Sequence, residues 1–294
     1  MPITSIASSW RFCLLSLRLA TCLLCLALLL PGMPARAIED RADIEKNEPL
    51  DTPQRIAWKL TPSAYSETAA RSAVDINLRG NREVDTFWLG HYQRGSEFQQ
   101  TRIGYERQWA MPLGRVIASV QGATRGFAGG SVTLEFNRAS AQSVQGEGDR
   151  TGQAQPLFLL LGLGRTNLRP YYNLNFDPND STLIGVGGRG RWRSGSEATL
   201  YQIHDNRLGT GQRVTHAVWR QRLGQGVRFT LDLFQRDGRS DRDAERYHGT
   251  GISMTLDVAN ALSWSQPWFV RLVHDPKANF TDSDMTRVAI GLRF

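Results

Sequence analysis

The last nine residues, Thr286-Arg287-Val288-Ala289-Ile290-Gly291-Leu292-Arg293-Phe294, decide how this chain is read. Val288, Ile290, Leu292 and Phe294 stand at every second position, so an extended backbone places all four on one face. Arg287, Ala289, Gly291 and Arg293 fill the other face with small or charged groups. A strand with this comb is apolar on one side along its whole length and ends on an aromatic residue.

Working back from the terminus, the same period of two returns many times. Val227, Phe229, Leu231 and Leu233 alternate with Arg228, Thr230 and Asp232, and Ile252, Met254 and Leu256 with Ser253 and Thr255. Val132 and Leu134 alternate with Thr133 and Glu135, Ile103 and Tyr105 with Arg102, Gly104 and Glu106, and Val74, Ile76 and Leu78 with Asp75, Asn77 and Arg79. A soluble sandwich also alternates, but its polar face meets bulk water and is dense in Lys and Glu. Here the second face mixes Gly, Ser, Thr, Asn and Gln with isolated Arg, Asp and Glu, as a crowded lumen would, and only Lys46, Lys59 and Lys277 are lysines. Segments near nine to eleven residues suit tilted membrane strands. The expected fold is therefore all-β, an antiparallel transmembrane barrel over 72–294. About 14 strands are expected near 72–80, 84–92, 99–109, 115–123, 130–137, 156–164, 168–176, 181–192, 197–205, 213–222, 226–236, 247–257, 265–274 and 285–294. The segment 168–176 carries Pro170, which lacks a ladder N–H and can instead belong to a lumenal loop, leaving 12 strands as the alternative.

The other end of the chain is an address. Arg11 and Arg18 precede an apolar run from Leu19 to Leu30, Pro31 and Gly32 break it, and Ala35-Arg36-Ala37 supplies small residues before a cleavage site. Residues 1–37 are expected to be a signal peptide. The three cysteines (Cys13, Cys22, Cys25) leave with it, so no disulfide holds the exported chain, and loss of three Arg lowers the formal charge from +7 to +4. That mild excess gives no case for nucleic acid. Residues 38–71 are polar and are expected to form a periplasmic lead-in or short plug, although Ile56–Leu60 has the makings of a short strand.

Connections alternate in length over the C-terminal half. Asp275–Asp284, Arg236–Arg246 and Asn206–Gln212 are long, whereas Ala259–Leu262, Leu223–Gly226 and Arg193–Ser196 are tight, the asymmetry of outer loops and periplasmic turns. This phase makes Ala139–Gln155 another outer loop and groups Trp192, Trp219, Trp264 and Trp268 at the periplasmic interface, where amphipathic indoles prefer to sit. The short Met111–Gly114 conflicts with the phase.

The terminal comb Val288, Ile290, Leu292 and Phe294, with the signal peptide and the alternation, resembles the terminal strand signal of bacterial outer-membrane β-barrel proteins. The resemblance is to the class and covers about 72–294. It implies integral residence in the outer membrane after signal cleavage. The partners it implies are periplasmic chaperones, the outer-membrane assembly machinery, lipopolysaccharide and phospholipid.

A catalytic set is not evident. Lipid-hydrolysing barrels place His and Ser two residues apart on one strand face, but the residues two beyond His91, His204, His216, His248 and His274 are Gln93, Asn206, Val218, Thr250 and Pro276. No cluster has metal-ligand spacing, and no cofactor motif appears; Gly185–Gly190 falls inside a strand with no helix behind it to receive a phosphate. The inward-facing candidates are Asp75, Arg79, Arg102, Glu106, Glu135, Arg228, Asp232, Arg271 and Arg287, with Arg169, Arg189, Arg191 and Arg220 near the rims. Arg102 with Glu106, and Arg228 with Asp232, could cancel along one strand at i,i+4. The expected function is a narrow passive channel for small solutes. The alternative is an outer-membrane lipid-modifying enzyme or lipid-binding barrel with a closed lumen.

Overall fold

A computed structural model describes residues 56–137, 157–166, 182–190, 196–205, 210–224, 226–240, 242–259 and 267–294. Within them the chain forms a closed barrel of 14 antiparallel strands in sequence order. The first half comprises β1 (Ala57–Glu67), β2 (Ala73–Arg82), β3 (Asp85–Arg94), β4 (Phe98–Met111), β5 (Gly114–Ala123), β6 (Phe127–Phe136) and β7 (Leu157–Thr166). The second comprises β8 (Thr182–Gly190), β9 (Ser196–Asp205), β10 (Gln212–Gly224), β11 (Val227–Arg239), β12 (Arg246–Val258), β13 (Trp268–Asp275) and β14 (Met285–Arg293). A 3-10 turn, Ala278–Phe280, lies between the last two strands.

The barrel closes by pairing β1 with β14, Lys59 opposite Arg293 and Tyr65 opposite Arg287. Phe294 and Trp58 exchange backbone hydrogen bonds at the rim, 2.8 and 3.0 Å. This corrects the expected domain boundary. Residues 57–67 are the first strand of the wall, so the barrel starts 15 residues before position 72. Lys59 and Pro62 masked that strand by interrupting its apolar pattern, yet closure leaves no free edge in a medium that cannot solvate one.

The strand total agrees with the expected 14, but its membership differs. Expected strand 168–176 lies outside the described residues, and β7 bonds directly to β8 across it, Leu157 opposite Gly188 and Leu161 opposite Ile184. Removing that strand from the ladder shifts the phase of everything before it by one connection. The turn Pro112–Leu113 then falls at the same rim as the two chain ends, with the other tight turns, which resolves the conflict at Met111–Gly114. For the same reason the connection 137–156 leaves from the rim that carries the chain ends, so the expected assignment of Ala139–Gln155 to the long-loop side is corrected.

Outward rows are apolar. Ile103, Leu163 and Val120 are about 60% exposed or more, a surface that only lipid would cover. Aromatic residues gather outside the rim of the chain ends: Trp58 packs edge-on to Phe87 at 5.2 Å, Trp219 to Phe229 at 6.2 Å, and Trp109, Trp268 and Phe294 stand at the same level. Trp192 and Trp264, expected in this group, lie outside the described residues. The opposite rim instead carries outward His91, His204, Arg213, Asp237, His248 and His274, of which His204, Arg213, Asp237 and His248 stand side by side in register across β9–β12.

Candidate lumenal site

The strand registers line up the inward rows. Lys59, Arg79 and Trp88 share one row; Ser63, Asp75 and Tyr92 another; Thr230, Thr255, Arg271 and Ala289 a third. The sequence-stated candidates Arg79, Arg102, Glu106, Glu135, Arg228, Asp232, Arg271 and Arg287 all stand on this inward parity. Of the rim arginines, Arg220 is also inward, opposite Glu197; Arg189 is a residue of β8 whose side chain is not described, and Arg169 and Arg191 are outside the described residues.

Ion pairing follows the barrel circumference. Arg102 of β4 passes over β3 to Asp75 of β2 at 2.6 Å, with both side chains almost wholly buried. Its path crosses Gly90, where a Cβ would stand 2.6 Å from the guanidinium, so that glycine leaves the passage open. Arg236 of β11 likewise crosses β12 at Gly249 and grips Asp275 of β13 with two bonds, 2.8 and 2.7 Å. Arg94 crosses β2 at Ala73 to reach Glu67. Where the intervening residue is aromatic, the guanidinium lies over the ring: Arg79 reaches Glu106 across Trp88, and Arg293 reaches Asp257 across Phe269. Directly opposed strands supply Arg115–Glu135, Arg220–Glu197 at 2.6 Å and Arg228–Asp257 at 3.4 Å. Asp232 meets His216 at 3.0 Å, and His216 stacks on Tyr201 with centroids 4.6 Å apart. The i,i+4 pairs expected within one strand are thus corrected to pairs between strands. The reason is geometric: i,i+4 on a strand spans about 13 Å, whereas neighbouring strands lie about 4.8 Å apart.

Glycines set the bore. Phe269 stands opposite Gly291, Phe158 opposite Gly187, Trp88 opposite Gly104 and Phe234 opposite Gly251. In each pair ring atoms occupy the place a Cβ would take, at 1.7–2.3 Å for the nearest. The rings therefore lie on the wall instead of projecting to the axis.

Three inward cations on β1, β13 and β14, Lys59, Arg271 and Arg287, have no carboxylate within ion-pair distance among the described residues, and neither has Arg222 at the rim end of β10, opposite Arg228. Lys59 lies 5.4 Å and Arg271 6.0 Å from the Phe269 centroid; Arg271 donates to the Thr255 hydroxyl at 3.0 Å and Arg287 to the Ser63 hydroxyl at 3.1 Å. Sequence reasoning missed Lys59 because its strand was assigned to the lead-in. It missed Arg94, Arg115 and Asp257 as well, although carrying the 252–256 alternation one position further would have caught Asp257, and it left Arg293 out of the inward set although the terminal comb already placed it on that face.

At the rim opposite the chain ends the bore narrows. The connection 276–284 turns inward, burying Ala278 and Phe280, and Tyr65, Ala73, Tyr92 and Met285 form an apolar cluster with Ala278. Arg236 lies between the rings of Phe234 and Phe280, 5.6 and 5.5 Å from their centroids. The connection is fastened by Lys277 Nζ to Asp282 at 3.0 Å, by Tyr247 OH to Asp282 at 3.1 Å, and by the Asp284 amide to the Thr68 hydroxyl. Hydrogen bonds from Lys277 and then Tyr247 hold the Asp282 carboxyl below its ordinary range.

No protein-family model matches the chain, and no curated protein matches it. By structure the chain is similar to the Acinetobacter baumannii outer membrane protein Omp33, at 8% identity and TM-score 0.49, over 81% of this chain and 98% of that one. It is similar to the NanC porin at 7% identity and TM-score 0.43, over 80% and 98%, and to Salmonella typhi OmpF at 8% identity and TM-score 0.42, over 82% and 97%.

Proposed function

We propose that this chain is an integral outer-membrane barrel that serves as a narrow passive channel for small solutes and favours anions. The observation that carries the reading is Arg271, which sits in the middle of β13, points toward the axis and is nevertheless exposed. Such exposure of an inward side chain fits a bore wide enough to admit water. Fourteen strands leave more room than the eight whose side chains fill a barrel, and the rings on glycine preserve it. In this reading the apolar rows face lipid, the aromatic rim faces the periplasm and the His/Arg rim faces lipopolysaccharide. Residues 1–37 direct export, and the β14 comb engages the assembly machinery.

The charge preference follows from pairing. Arg79, Arg102, Arg228 and Glu106, Glu135 are matched by opposite charges across strands and Asp232 meets the His216 ring, while the three cations Lys59, Arg271 and Arg287 meet no carboxylate, so a low-dielectric wall focuses a net positive field on the path. Guanidinium remains charged at any working pH. Purified, folded protein in planar bilayers should conduct, and reversal potentials in a KCl gradient should show anion preference at low salt. The preference should fade as the Debye length falls from about 10 Å at 0.1 M to about 3 Å at 1 M. Absence of conductance would overturn the channel, and cation preference at low salt would overturn its polarity.

A further inference from the structure

We propose that the wall built from β13, β14 and β1 is a fixed binding site for a small oxyanion, a carboxylate or a phosphate. Lys59, Arg271 and Arg287 supply the charge and the hydroxyls of Thr61 and Tyr65 the neutral donors. The proposal rests on the lumen being open to solutes, but it adds a saturable site to a field that merely biases passage.

The polar inventory of this wall is one-sided. Apart from Arg222 at the rim of β10, each of the other inward guanidiniums described above meets a carboxylate, yet these three cations on adjacent strands meet none among the described residues. The hydroxyls of Thr61 and Tyr65 are buried without a hydrogen-bond partner, and so is Nε of Arg287. Tyr65 and Arg287 are register neighbours, with the guanidinium 5.1 Å from the ring centroid, and Thr61 stands two and four positions from Ser63 and Tyr65 on the same inward row. The carboxylates in or near this wall are already engaged, Glu67 of β1 by Arg94, Asp257 by Arg228 and Arg293, Asp75 by Arg102 and Asp232 by His216. What the wall lacks is acceptors. Buried donors without acceptors are costly, and an oxyanion carries several acceptors on one compact group while answering the cationic charge. A neutral solute would satisfy the hydroxyls but leave the charge, and a cation would do neither. Phe269, with Lys59 and Arg271 each within 6.0 Å of its centroid, gathers these two cations, and Arg287 stands beside them on the next strand.

The test uses the full folded barrel in detergent at about 0.1 M KCl, where screening is moderate, titrated separately with succinate, inorganic phosphate and glucose by calorimetry. Saturable binding of succinate or phosphate, with none of glucose, is expected, and the tighter of the two fixes the oxyanion class. Lys59→Met with Arg271→Met should weaken binding about tenfold or more, whereas removing two paired cations, Arg79→Met with Arg220→Met, should change it less than about twofold. Lys59→Arg should retain binding, which separates a lost donor from a damaged barrel, and heat-modifiable migration checks that each variant folds. Failure of both anions to saturate, or equal weakening by the paired-cation variant, overturns the site. Conductance recorded on the same preparations keeps the two readings apart: a conducting barrel without saturable binding sinks the site alone, and a binding barrel without conductance sinks the channel alone.

Discussion

Asp275→Ala should be the most damaging single change in the lumenal wall. Asp275 is fully buried and accepts both arms of Arg236 at 2.8 and 2.7 Å, and Arg236 is itself only 7% exposed at its side chain. Truncating the acid leaves a guanidinium that cannot neutralise itself, lying between Phe234 and Phe280 with no carboxylate to answer it. Breaking one side of such a pair costs about 3–5 kcal/mol, roughly two to three and a half decades in the folded-to-unfolded ratio. Water admitted through the bore would bring the cost toward the lower figure. Replacing both partners by apolar residues of similar volume, Arg236→Met with Asp275→Leu, removes the stranded charge and should fall within about 1 kcal/mol of the parent. Urea titration of the barrel in lipid vesicles, followed by tryptophan fluorescence in both the folding and unfolding directions, measures each variant. A loss under about 1 kcal/mol for Asp275→Ala, or a double variant no better than the single, would refute the account of this pair as buried and mutually dependent.

Three further outcomes follow from other parts of the barrel. Phe294→Ser should lower the amount of assembled protein in the outer membrane, because Phe294 ends the β14 comb and bonds Trp58 across the closing seam; unchanged yield and heat-modifiable migration would count against it. A protease site inserted after Asp243 should be cut from outside intact cells and one after Gly224 should not, since the β11–β12 and β10–β11 connections leave opposite rims; the reverse pattern would invert the orientation. The fastening of connection 276–284 by Asp282 should survive acid better than an ordinary carboxylate contact. The folded group titrates below the ordinary aspartate value of about 3.9, so its contribution is complete above about that pH and disappears only as pH falls through the lowered value. Limited proteolysis of this connection should therefore be flat from neutral pH to about 4 and rise below it, and Asp282→Asn should abolish that step.

The period of two was enough to find thirteen of these strands, because membrane strands repeat one contrast, lipid outside and crowded polar groups inside. It failed at β1, where Lys59, Thr61 and Ser63 face in but Pro62 breaks the outward run between Leu60 and Ala64. It set 168–176, which lies outside the described residues, between β7 and β8, and those two strands bond directly to each other. That one misplaced strand reversed the side of every earlier connection, an error propagated by topology and not by composition. Facing was legible, since parity along a strand decides it: Arg79, Asp232 and Arg271 needed no partner to be placed. Pairing was not. Arg102 finds Asp75 over Gly90, and nothing along β4 announces that the intervening strand offers a glycine at that level. The missing acid beside Lys59 could emerge only once both ends of the chain were brought together.

The register between β1 and β14 omits Thr61 and Pro62, pairing Leu60 with Leu292 and resuming at Ser63 with Ala289. Proline has no N–H to give to that joint. The register is the same on both sides of that joint, so the seam between the strands that begin and end the barrel stays in phase and is short of one ladder hydrogen bond. Loosening would begin there and spread sideways, toward lipid, long before strands such as β10 and β11, joined continuously from Arg213 to Arg222, let go of one another. Whatever draws Lys59 and Arg287 together across that gap acts as a clasp, tightening the vessel by occupying it.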